Sequence, residues 1–83
     1  MSTSSSLAVR ILTDAGVTPS QVAAWAGTSK ASVAAQLAGR RLLEVKVLDA
    51  IREHVGWAVA DEVQPAAAKA RSAYLLEVQA GRM

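Results

Sequence analysis

Cysteine and phenylalanine are absent from this 83-residue chain, and it has a single histidine, His54. Without cysteine, a disulfide scaffold, a thiolate zinc site and a cysteine nucleophile are excluded. One histidine likewise excludes a histidine-rich metal cluster. The aromatic residues are Trp25, Trp57 and Tyr74 alone, so a core must be built mostly from aliphatic methyls. No apolar run approaches the roughly 18–20 residues of a membrane span. The opening stretch Met1–Ser6 lacks the basic start and long apolar segment of a signal peptide. The expectation is a soluble, cytoplasmic chain of one small domain, with no membrane partner, no metal and no cofactor.

What the chain does have is alanine: 18 residues, against 20 Leu, Ile and Val together. Alanine is the best helix former, losing no side-chain entropy, and no alternating strand pattern competes with it. The fold class predicted is all-α. A chain this short buries only about 60–65% of its unfolded surface, which leaves room for self-association to contribute to stability.

The net charge of +2 is unevenly placed. Residues 1–43 carry Arg10, Lys30, Arg40 and Arg41 against Asp14 alone, for +3. Residues 44–83 carry five basic and six acidic side chains, for −1. Localised positive charge is the footprint of a phosphate-contacting surface, although small Lys/Arg clusters are also ordinary solvated faces.

Helix punctuation predicts five segments. The first starts near Ser5 or Ser6, with Leu7, Ile11, Leu12 and Ala15 on one face, and stops at Gly16. The second opens at Thr18-Pro19-Ser20-Gln21, a capping-box pattern with proline at the first helical position, and ends at Gly27. Its inward positions are Val22 and Ala26. The third is capped by Ser29 and runs through Val33 and Leu37 to Gly39. The fourth spans Glu44 to about Val55, burying Leu48, Ile51 and Val55 with Val45 or Val47 beside them. The fifth starts between Asp61 and Pro65, because an internal proline removes a backbone bond, and ends near Ala80. It carries Ala67, Ala70, Tyr74, Leu75 and Val78 on one side, with Asp61 and Glu62 as charges at its N-terminus.

The second and third helices are separated by a very tight turn. Such helices cross steeply, which requires small residues at the crossing, here Ala23, and a residue free to adopt positive φ, here Gly27. That is the specification of a helix-turn-helix within a compact four- to five-helix domain. Residues 1–56 would form this domain, and residues 57–83 a C-terminal helical extension.

The run from Thr18 to Arg41 resembles the helix-turn-helix of phage repressor and Cro-type (lambda-repressor-like) regulators. Val22-Ala23, Gly27, Ser29, Val33 and Gly39 match that pattern in order and spacing, and the resemblance extends over about residues 5–56. It implies a sequence-specific regulator of transcription that binds double-stranded DNA, commonly a repressor acting as a homodimer and associated with the nucleoid when bound. Carried over by position, Lys30, Ala31 and Ser32 would enter the major groove from the start of helix three, with Ala34 or Ala35 on the next turn. Thr28 and Ser29 would lie at the turn. Lys30 would donate to guanine and Ala31 would pack on a thymine methyl. Gln36 would reach a base edge or the backbone. Thr18, Ser20 and Gln21 correspond to phosphate-binding positions, and Arg40 and Arg41 to phosphate clamps. Each has a plainer reading beside it: Thr18 and Ser29 as caps, Gln21 as capping-box partner, the arginines as charges favoured at a helix C-terminus.

Two features depart from the pattern. The third helix has few long polar side chains. Trp25 stands where polar residues are common, either folded onto helix four or marking a partner surface. Tyr74, Leu75 and Val78 are the candidate dimer contact. No nucleophile elbow, phosphate-binding glycine loop or paired carboxylates are visible, and His54 reads as a surface residue at a helix C-terminus. An enzyme with a small-molecule substrate is therefore not expected. The competing readings are a protein-interaction or antitoxin-like module that keeps the same helices as scaffold, and a DNA-binding recombination or partition accessory factor.

Overall fold

Hydroxyl caps and glycines punctuate the chain close to where the sequence predicts. The computed structural model describes residues 6–81, which form five α-helices. These are α1 (Leu7–Asp14), α2 (Pro19–Ala26), α3 (Lys30–Leu37), α4 (Val45–His54) and α5 (Trp57–Gln79). Ser6, Thr18 and Ser29 each accept a backbone N–H of the helix they open, at 3.0–3.2 Å, filling one of the orphan donors of that first turn.

One aliphatic core joins all five helices. Leu12, Val22, Val33, Leu37, Ile51 and Val63 are completely buried within it, and Ala8, Ala23 and Ala67 fill the tighter crossings. No aromatic ring is fully buried among the described residues; Trp25 packs half-buried against the edge. Small side chains let short helices approach closely, so the alanine content works as packing as well as helix propensity. None of the described helices is long and apolar enough to cross a membrane.

Four expectations shift. The buried stripe of α1 is Ala8 and Leu12, while Leu7 is 55% exposed and Ala15 also faces solvent. The reason is packing: Ala8 and Leu12 enter the common core, while Leu7 and the half-buried Ile11 are left on the rim of an open groove with Asp61, Pro65 and Lys69 of α5. On α2 the residue buried with Val22 is Ala23, and Ala26 is half-buried. On α4, Val55 is half-buried rather than buried, and of Val45 and Val47 it is Val47 that joins the buried stripe, Val45 being 72% exposed.

The largest difference is α5, which begins at Trp57 and carries Pro65 inside it. Pro65 and Asp61 are both exposed, so the Asp61 carbonyl that loses its donor is free to be solvated. Such a proline costs about 3 kcal/mol in a helix interior. Burial of Ala60, Val63, Ala66 and Ala67 on the opposite face offsets it. Asp61 and Glu62 thus sit beyond the first turn rather than at the helix start. The same four residues belong to the core shared with α1 to α4.

Gly39 holds the chain closest to α5. It has φ +86°, and a Cβ there would collide with the backbone of Ala70 and Arg71. The Arg71 guanidinium donates to its carbonyl at 3.3 Å. This contact sets where the chain leaves α3, and so where Arg40 and Arg41 lie.

Candidate nucleic-acid interface

The N-terminus of α2 is closed by a complete capping box. Thr18 Oγ1 accepts from the Gln21 backbone N–H at 3.2 Å, and Gln21 Oε1 accepts from the Thr18 N–H at 2.9 Å. Pro19 follows at the first helical position. Thr18, Ser20 and Gln21 are all exposed. Gln21 therefore combines an open position with a side chain already committed to the cap.

Between α2 and α3 the chain turns in three residues. Gly27 takes the left-handed conformation (φ 72°, ψ 37°), and the Thr28 N–H returns to the Ala23 carbonyl at 3.0 Å. Thr28 is half-buried, whereas Ser29, Lys30 and Ala31 are exposed at the start of α3. Ser29 caps the helix through the Ser32 N–H at 3.0 Å.

Further along α3, two of the expected contact residues are buried, and Ala34 is half-buried. Ala35 is only 9% exposed, and its carbonyl accepts the N–H groups of both Arg40 and Arg41. Gln36 is 1% exposed and cannot reach a base edge in this geometry. Its carbonyl accepts from the Glu44 backbone N–H at 2.9 Å, and its amide donates to Glu44 Oε1 at 3.0 Å and to Ser32 Oγ at 3.1 Å. A buried amide must be paired in this way or its desolvation goes uncompensated. The signal for this was its spacing from Val33, three residues on and therefore on the same inward stripe.

Arg40 and Arg41 are exposed, and they differ. The Arg41 guanidinium folds back nine residues to Ser32 Oγ at 3.2 Å, while Arg40 lines a groove with Ala70, Ala73, Tyr74 and Glu77 of α5. From Ala15 to Leu43 the chain has no Asp or Glu. Among the described residues the ion pair formed is Arg52–Asp49 on α4, at 3.2 Å. Among the described residues Lys30, Arg40 and Arg41 form no ion pair, although Glu77 of α5 lines the same groove as Arg40.

No family model, curated protein or solved structure matches this chain. The site therefore stands on its own geometry.

Trp25 stacks on His54 with ring centroids 4.5 Å apart and planes 8° from parallel, so it folds onto α4. Trp57 is 66% exposed with the Arg52 guanidinium 4.7 Å above its ring. On the outer half of α5, Leu75 and Val78 are exposed and Tyr74 is half-buried. Leu76 is exposed there too, at 66%.

Proposed function

We propose that this chain is a sequence-specific, double-stranded DNA-binding regulator of the small repressor type. In this reading α2, the turn 27–29 and α3 act as a helix-turn-helix, with α3 entering the major groove. The observation that carries it is the set of cations bracketing α3 that form no ion pair among the described residues: Lys30 at its exposed start, and Arg40 and Arg41 just beyond its end. Phosphates on either side of a groove would meet them, releasing counterions. Thr18 and Ser20 at the start of α2 supply short polar groups for the adjacent backbone. A homodimer joined through Tyr74, Leu75 and Val78 would place two such units on paired half-sites.

Anisotropy titration of the full chain against a mixed-sequence duplex, at low and moderate salt, tests the proposal. Affinity should fall steeply with salt. Affinity that is absent, or indifferent to salt, would overturn it. That outcome would select a protein-docking role, which the exposure of Leu42 (71%) and Val45 (72%) beside one another favours as the second reading.

A further inference from the structure

The outer surface of α3 is short of groups that can read a base. From Ser32 to Ala38 its side chains are Ser, Val, Ala, Ala, Gln, Leu and Ala, and the one long polar member, Gln36, is buried and tied to Glu44. Lys30 stands alone at the exposed start. An ammonium is a compact point charge, with no planar fork to match the paired acceptors of guanine.

The missing fork comes from outside the helix. After Gly39 the chain doubles back, its course fixed by the N–H groups of Arg40 and Arg41 on the Ala35 carbonyl, at 2.9 and 3.3 Å. From there Arg41 Nη1 donates to Ser32 Oγ at 3.2 Å, laying the guanidinium along the flank of α3. The Ser32 oxygen is held in turn by Gln36 Nε2 at 3.1 Å, and Gln36 is locked to Glu44 on both sides of its amide. Ser32 occupies one of several guanidinium donors, and no carboxylate pairs with Arg41 among the described residues.

We infer that Arg41 is the base-reading side chain of this interface, a specificity determinant held on α3 by the Glu44–Gln36–Ser32 chain of hydrogen bonds, while Arg40 is a phosphate contact only. This rests on the DNA-binding proposal and gives its two arginines different work. A pre-placed guanidinium loses little freedom on docking, and its fork recognises the O6/N7 pair of a guanine.

The test uses the full chain with two duplexes: one selected by the chain from a randomised pool, and a scrambled duplex of the same composition. The readout is the ratio of the two affinities together with the salt slope. Arg41→Lys keeps the charge and should keep the salt slope, yet lower the ratio by about tenfold. Arg40→Ala should weaken both duplexes alike, reducing the slope by about one and leaving the ratio unchanged. Ser32→Ala should lower the ratio at an unaltered slope and unaltered helical circular dichroism, a combination that a loss of folding would not produce. A wild-type chain that binds the selected duplex specifically while Arg41→Lys preserves the ratio overturns this inference alone. A wild-type chain that binds neither duplex overturns the DNA-binding proposal with it.

Discussion

Replacing Gly39 by alanine tests the packing logic of the whole domain. Two costs are expected to add. Gly39 has φ +86°, and a side chain in left-handed backbone costs about 1–2 kcal/mol. The added Cβ also collides with the main chain of Ala70 and Arg71 in α5, which cannot rotate aside as a flexible side chain would. Overpacking of this kind typically costs ~1–3 kcal/mol. The sum is roughly 2–5 kcal/mol, a large share of the ~4–12 kcal/mol expected of an 83-residue domain. Gly27 supplies the internal control. Its φ is nearly the same, +72°, but nothing lies within 4 Å of a Cβ built on it. Gly27→Ala should therefore cost only about 1 kcal/mol, partly offset by a less flexible unfolded chain. Urea unfolding followed at 222 nm, extrapolated linearly to water, measures both. If Gly39→Ala proves no more destabilising than Gly27→Ala, the close approach of this turn to α5 does not constrain the fold and the reasoning fails.

Three other outcomes follow from the same contacts. Thr18→Ala and Ser29→Ala should each cost about 1 kcal/mol in urea unfolding; the caps serve different helices and share no hydrogen bond, so the double variant should show nearly the sum. Gln36→Leu should destabilise by about 1–3 kcal/mol, because the Glu44 N–H loses its acceptor, and a neutral result would mean that water replaces the amide. Leu75→Lys combined with Val78→Lys should convert a dimer to a monomer in sedimentation equilibrium with unchanged circular dichroism; a chain that sediments as a dimer regardless would remove the α5 contact from consideration.

Much of the architecture was legible in the chain because helix ends are local chemistry. Ser6, Thr18-Pro19-Ser20-Gln21 and Ser29 write their caps in neighbouring residues, and Gly27 ends α2 through its own backbone freedom. The five helices and their order followed from such signals. Pro65 misled for the same reason: locally a proline argues for a helix start, and only burial of Ala60, Val63, Ala66 and Ala67 on the far face outweighs it.

The candidate interface divides in the same way. That Lys30, Arg40 and Arg41 flank the third helix, with no acidic residue between Ala15 and Leu43, is readable from the sequence. That Gln36 turns inward to Glu44 is not, because its partner lies eight residues away across a loop whose path depends on Gly39 meeting α5. The difference between Arg40 and Arg41, adjacent and identical in type, arises from the same turn. Local chemistry along the chain specified five helical segments, the starts of α1, α2 and α3 and the place where positive charge gathers, since each depends on neighbours in the sequence. Only the tertiary structure decided how far α5 extends past Pro65, what Gln36 pairs with and which arginine reaches Ser32, because those depend on groups that meet only after the helices have packed.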